Sequence, residues 1–267
     1  METTAEKSFH NKKTTLFIVL SGIFLTNAIL AEIIGVKIFS GEATLGLEPA
    51  GWTFFGKYVL DFNLTAGAVI WPVVFITTDI INEYFGKKGV RKISFLTAGF
   101  IAYGFVFIAI ATSLPPAPFW LDVNSTDPAG QPFNIEYAFD TIFRQGLGII
   151  IGSLTAFLLG QLIDVYVFQK LRKITGPKMI WLRATGSTLV SQLIDSFVVL
   201  GIAFYVFGNW SIDQLIAVGI INYIYKFTVA IVLTPLLYLG HDIIDKYLGK
   251  EDAERMAEEA ASDTSFM

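Results

Sequence analysis

Six stretches of roughly twenty or more mainly apolar residues run through this chain, and they leave it little choice of solvent. They cover residues 14–36, 64–85, 92–114, 143–168, 183–207 and 212–239. The runs are continuous rather than alternating, which favours helices over a barrel; in lipid each helix satisfies its own backbone groups. Composition agrees, since 54% of the 267 residues are hydrophobic and only 16% are charged, outside the usual range of a soluble domain. The expected fold is an all-α membrane protein with six transmembrane helices in one membrane domain, 14–240. A short N-terminal segment, 1–13, precedes it and an acidic tail, 241–267, follows.

The basic residues set the expected orientation. Lys7, Lys12 and Lys13 precede the first run, Lys87, Lys88, Arg91 and Lys92 join the second and third, and Lys170, Arg172, Lys173 and Lys178 join the fourth and fifth. The intervening connections are poor in Lys and Arg; the one from 114 to 143 carries Asp122, Asp127, Glu136 and Asp140 instead. The positive-inside rule then places both termini in the cytoplasm, which an even number of crossings also requires. The first run is too long for a signal-peptide core, holds Asn27 and Glu32 near its far end and lacks a clear small-residue cleavage site, so it is expected to be retained. Residues 35–62 read as an outer loop or a short re-entrant piece, and the Pro-rich stretch 114–140 as an extended outer loop. The tail reads as a short, frayed cytoplasmic helix. Much of the formal charge of −4 lies in that tail and says nothing about a substrate. Cysteine is absent, which removes disulfides, thiolate nucleophiles and cysteine metal sites.

Against this apolar background ten polar side chains stand out: Asp79, Asn82, Glu83, Gln161, Asp164, Arg183, Gln192, Asp195, Asn222 and Lys226. A charge at the centre of a membrane helix costs about 2.5–3.5 kcal/mol on the insertion scale, so such residues persist where they meet a partner, a cavity or a ligand. Asp79, Asn82 and Glu83 are offset by three and four and share one helical face, although Glu83 also reads as a helix-end residue in water beside Lys87. Gln161–Asp164 and Gln192–Asp195 each set an amide three residues from a carboxylate. Arg183, Ser187, Ser191 and Asp195 follow at intervals of four, and Asp195 is about 18 Å along its helix from Arg183. Arg183 alternatively snorkels to the interface, and the serines serve close packing. Asn222 and Lys226 lie near the centre of the last run, where a buried ammonium needs an anion; Asp195, at similar depth, is the obvious one. An ion pair of that kind has a purely structural reading as well.

The stretch 72–91, containing TTDIINEYFGKKGVR, the block GQLIDVYVFQKLRK from Gly160, and STLVSQLIDS from Ser187 resemble the queuosine precursor transporter family, with its YhhQ-type and VUT members. The likeness spans about residues 16–239. It implies a six-helix, multi-pass inner-membrane importer of 7-deazaguanines such as preQ0, preQ1 or queuine, salvaged for tRNA modification. It also implies a fold similar to the substrate-binding subunits of energy-coupling factor vitamin transporters.

A guanine-like edge offers a ring N–H and an exocyclic amine to a carboxylate, and a carbonyl to an amide or cation. The ten residues are therefore the expected substrate-binding set, with no catalytic residue, metal or cofactor. Trp71, Phe75, Trp181, Tyr223 and Tyr225 are candidate stacking partners for the flat ring. The expected partners are the small-molecule substrate and the lipid bilayer, not nucleic acid, with room left for a homo-oligomer. The alternative function is a binding subunit of an ATP-driven vitamin or nucleobase uptake system. No GxxxxGK[ST] loop occurs in the chain, so a separate energising ATPase module would supply hydrolysis. An intramembrane enzyme is disfavoured because His10 and His241 both fall outside the runs, leaving only a carboxylate pair such as Asp164 and Asp195.

Overall fold

A computed structural model of the chain describes residues 4–144, 146–176 and 179–262; Lys178 of the expected basic connection and Asp263 of the tail lie outside them. Helix α1 (Thr4–Ile34) leads into β1 (Ile38–Ser40), the single turn α2 (Gly41–Thr44), β2 (Trp52–Phe54), β3 (Tyr58–Leu60) and β4 (Asn63–Thr65). A 3-10 turn (Ala66–Val69) then opens onto α3 (Trp71–Ala111), followed by α4 (Pro118–Val123), α5 (Ile135–Phe143) and α6 (Leu147–Thr175). Next come α7 (Ile180–Leu200), continued as a π-helical turn (Gly201–Val206), α8 (Ile212–Val232), α9 (Thr234–Leu248) and α10 (Lys250–Ser262).

Five helical stretches among the described residues are long and apolar enough to cross a membrane: Phe9–Ile34, Trp71–Ala111, Ile135–Thr175, Ile180–Val206 and Ile212–Val232. The expected second and third spans run together in α3. At 1.5 Å per residue its 41 residues would extend about 60 Å, twice the hydrocarbon thickness, if straight. It is not straight: Gly86 leaves helical geometry at φ 66° and ψ −169°, a conformation open essentially to glycine alone. The last expected run is interrupted too, because Pro235 sits at the start of α9, where it has no N–H to give a continuing helix.

The bundle gathers its buried polar side chains within an apolar core and turns further apolar side chains outward. Ile18, Tyr103, Val106 and Phe107 are all more than half exposed, as lipid-facing side chains are, whereas Glu83, Asn82, Asp164 and Arg183 are buried. Phe24, Val74, Ile81, Val90 and Phe168 pack the apolar core between these layers.

Residues 35–62, left open between a loop and a re-entrant piece, form most of two small antiparallel sheets, β1 with β4 and β2 with β3. Glu42 ties this cap together by accepting from the Phe62 N–H at 2.7 Å and the Ser40 hydroxyl at 3.1 Å, and these bonds hold its pKa below the usual carboxylate range. The segment read as an extended outer loop contains α4 and α5, the latter started by Asn134, which accepts from the Tyr137 N–H. The tail is not frayed over its described length. Helix α10 buries Ala253, Met256 and Ala260 against α3, and where a Cβ on Gly86 would come within 3.0 Å of the Ala260 carbonyl oxygen.

Candidate functional site

Helix α3 brings Asp79, Asn82 and Glu83 to the bundle interior on one face, packed on α6, with Arg183 reaching across from α7. Glu83 is not in water beside Lys87. Its Oε2 accepts from Arg183 Nε at 3.2 Å, and its Oε1 accepts from Arg183 Nη2 at 2.7 Å and pairs with Arg172 Nη2 at 3.2 Å. The two arginines spend other donors on carbonyls: Arg183 on Gly176, and Arg172 on Glu83 itself and on Ala257 of α10. Arg183 also faces the Phe168 ring at 5.8 Å and is 1% exposed, so it does not snorkel. The forked, two-point contact is the geometry in which guanidinium and carboxylate bind most strongly. Nearby, Tyr84 donates to Asp245 at 2.7 Å, so the 2.9 Å contact to His241 requires Nδ1–H as donor. Burial, reinforced by the charges of Arg183 and Arg172, pulls His241 down to about 4 and keeps its ring neutral.

From Asn82 towards the β-sheet cap the charged fork gives way to amides, hydroxyls and the carboxyl of Asp164. Asn82 Oδ1 accepts from Gln169 Nε2 at 2.7 Å, Gln161 Oε1 accepts from the Thr78 hydroxyl at 3.1 Å, and Asp164 accepts from Ser191 at 3.1 Å. Gln161, Asp164, Gln192, Asp195 and Lys226 line a recess of about 30 Å3, room for a water but not for a ring.

The recess shares Trp71, Phe75, Phe157, Asp195 and Lys226 with a cavity of about 590 Å3, within the range of small-molecule sites. Asp79 projects from α3 into this cavity. It is 6% exposed, and its Oδ1 has no hydrogen-bond partner among the described residues. Lys226 pairs with Asp195 on the same wall, while Asn222 spends its amide N–H on the Val218 carbonyl of its own helix. Trp71 and Phe75 stack with ring centres 5.8 Å apart and planes 18° apart, giving the cavity a flat aromatic wall. Tyr225 lines it as well; Trp181 and Tyr223 do not.

The ten expected residues therefore fall into three groups. Asp79, Asp195, Asn222 and Lys226 line the cavity; Gln161, Asp164 and Gln192 line the recess behind it; Asn82, Glu83 and Arg183 are engaged with other protein groups away from both. Four contributors escaped the sequence reading. Glu32, hydrogen-bonded by Ser153 at 2.7 Å, and Arg144 both line the cavity, and Gln169 and Arg172 complete the buried network. Glu32 carried the same signal as the others, a carboxylate within an apolar run. Gln169 and Arg172 lie eight residues beyond Gln161 and Asp164, a helical repeat hidden by their place in a basic connection.

A multi-pass helical bundle enclosing a largely apolar cavity of this size, with a few acidic and basic side chains on its wall, is a membrane protein with interior room for a small molecule. The family model described as putative vitamin uptake transporter matches residues 65–240, and the chain belongs to that family. A Bacillus subtilis (strain 168) relative named probable queuosine precursor transporter is 31% identical across 81% of this chain and 93% of its own length. A Haemophilus influenzae relative of the same name is 30% identical across 72% of each chain. The Escherichia coli (strain K12) queuosine precursor transporter is 27% identical across 67% of this chain and 73% of its own. All three relatives are named as transporters rather than enzymes. No solved structure matches at a comparable level of significance.

Proposed function

We propose that this chain is an inner-membrane importer of queuosine precursors, 7-deazaguanines such as preQ0, preQ1 or queuine, destined for tRNA modification. The observation that carries the reading is the buried, incompletely bonded carboxylate of Asp79 on the wall of a cavity with a flat aromatic side. A deazaguanine supplies what both lack: two adjacent N–H donors for the carboxylate and a ring face for Trp71 and Phe75, where stacking contributes about 1–3 kcal/mol per base. Asn222 and Lys226 meet the ring carbonyl, and Gln161, Asp164 and Gln192 bind through the recess; that they line the cavity and the recess supports this reading. Asn82, Glu83 and Arg183 do not touch the ligand; bonded to other protein groups, they hold α3 against α6 and α7 behind the pocket.

In the six-crossing arrangement, α3 contributes two crossings that meet at Gly86, and both termini face the cytoplasm. The bend then falls in the basic segment containing Lys87, Lys88, Arg91 and Lys92, as the positive-inside rule asks. Alternating access moves the helices around a fixed central pocket.

The test is tRNA queuosine content in cells unable to make the precursor, with and without this chain, as preQ0, preQ1 and queuine are supplied in turn. Restoration by at least one precursor is expected, and restoration by none refutes the assignment. Proteoliposomes containing only the purified chain then separate self-sufficient transport from a binding subunit that depends on an ATPase module.

A further inference from the structure

Among the described residues the cavity wall carries three carboxylates, Glu32, Asp79 and Asp195, against two cations, Lys226 and Arg144. Lys226 is paired with Asp195, and the Arg144 guanidinium lies 3.7 Å from Asp140 and donates to the Thr112 carbonyl at 2.6 Å. The wall is therefore acidic beyond what a neutral guanine-like edge requires, since that edge uses a single carboxylate.

Glu32 and Asp79 also differ in depth. Glu32 is at the end of α1 beside the 3-10 turn, whose Gly67 packs so closely that a Cβ would come 2.5 Å from the Ala31 carbonyl oxygen. Asp79 lies about 12 Å farther in, measured along α3 from Trp71. A 7-deazaguanine has its hydrogen-bonding edge on one side of the fused rings and its variable substituent on the other. A ligand with its edge on Asp79 directs that substituent away from the deep end, towards the end where Glu32 and Ser153 lie.

We infer that Glu32, oriented by the Ser153 hydroxyl, is a specificity-determining residue that receives the protonated amine of amine-bearing 7-deazaguanines and thereby favours them over neutral ones. The inference rests on the proposed function above. An alkyl ammonium is charged at neutral pH and needs a counter-charge once it leaves water. The aminomethyl group of preQ1 and the secondary amine of queuine are of this kind, whereas the nitrile of preQ0 is a neutral acceptor that gains nothing from a carboxylate.

The first measurement needs no variant. Labelled preQ0 uptake by the wild-type chain is competed with preQ1 and with N-acetylated preQ1, which keeps the base but loses the charge. The acetylated compound is expected to compete at least tenfold less well, and equal competition overturns the inference. Glu32→Gln is then expected to lower the ratio of preQ1 to preQ0 uptake about tenfold or more, with protein quantified in the membrane. An unchanged ratio, including an equal loss of both substrates, overturns the inference while leaving the proposed function standing. Absence of uptake of every deazaguanine by the wild-type chain refutes the proposed function itself. Because the competition experiment uses the unaltered chain, misfolding of Glu32→Gln leaves the test intact.

Discussion

Glu83 and Asp79 lie about one turn apart on the same face of α3, both almost fully buried, and their surroundings have opposite character. Both Glu83 oxygens are occupied, by donors from two arginines that are themselves bonded to the carbonyls of Gly176, Ala257 and Glu83 itself. Asp79 keeps a buried oxygen with no partner among the described residues and faces a cavity. A saturated network holds helices in one arrangement, while an unsaturated group is tolerated where a ligand completes it. On the proposed function the charge cluster is a fastening and the cavity a receptor, although the residue types are the same.

The largest expected effect comes from opening the fastening. Glu83→Gln leaves Arg172 and Arg183 buried without their anion, which typically costs about 3–5 kcal/mol. Thermal unfolding in detergent and the amount of protein in the membrane should both fall, and uptake should fall in proportion to that amount. Near-normal stability with lost uptake would move Glu83 into the receptor and break the comparison.

Asp79→Asn should behave in the opposite way. It keeps the shape and the burial but exchanges a charged acceptor for an amide, so stability stays near wild type or rises. Uptake per molecule should drop about 10- to 100-fold, the equivalent of one hydrogen bond to a charged group, about 1.5–3 kcal/mol. Uptake assays normalised to membrane abundance check this, and Asp195→Asn in parallel tests whether the Lys226 pair belongs with the receptor or with the fastening. Uptake by both variants at the wild-type rate would leave the cavity without a function.

How far the two regions were legible beforehand follows from what spacing can encode. Burial of Asp79 and Glu83 together follows from a single helical face, and the Asp195–Lys226 pair from matching depth. The division between fastening and receptor was not visible, because it depends on which residue of α6 and α7 stands opposite each one, and that is set by packing. Arg172 looked like a loop charge because it sits among Lys170 and Lys173, yet it is buried and joins Glu83 to α10. Glu32 passed as a landmark in the first run until the fold set it on the cavity wall. The docking of α10 was hidden for a different reason: an acidic, low-hydropathy segment buries only a narrow stripe, Ala253, Met256 and Ala260.

Gly86 lies three residues beyond Glu83, where α3 bends under α10. Gly86→Ala combines a backbone conformation that costs about 1–3 kcal/mol for a residue with a Cβ and a 3.0 Å approach to the Ala260 carbonyl. Thermal unfolding should register the loss. Removing residues 250–267 from the same variant separates the two terms, because the contact disappears and the backbone strain remains. A double variant whose losses simply add would show that α10 does not press on the bend, leaving the fastening to the arginines alone.

The smallest effect belongs to an ion pair that is neither fastening nor receptor. Lys57 of the β2–β3 hairpin meets Asp213 at the start of α8 at 3.0 Å, with both side chains about half exposed. Its neighbour contact, Tyr58 to Ser211 at 2.8 Å, joins the same two elements. In water the attraction is screened by solvent and salt, and holding two side chains in place opposes it, so Lys57→Ala should cost the least of these changes. Unfolding measured at low and high salt is the check, since the difference between wild type and variant should shrink as salt rises. A loss as large as that of Glu83→Gln, unchanged by salt, would mean that burial does not set the worth of ion pairs in this molecule, and the distinction between its two interior regions would lose its physical basis.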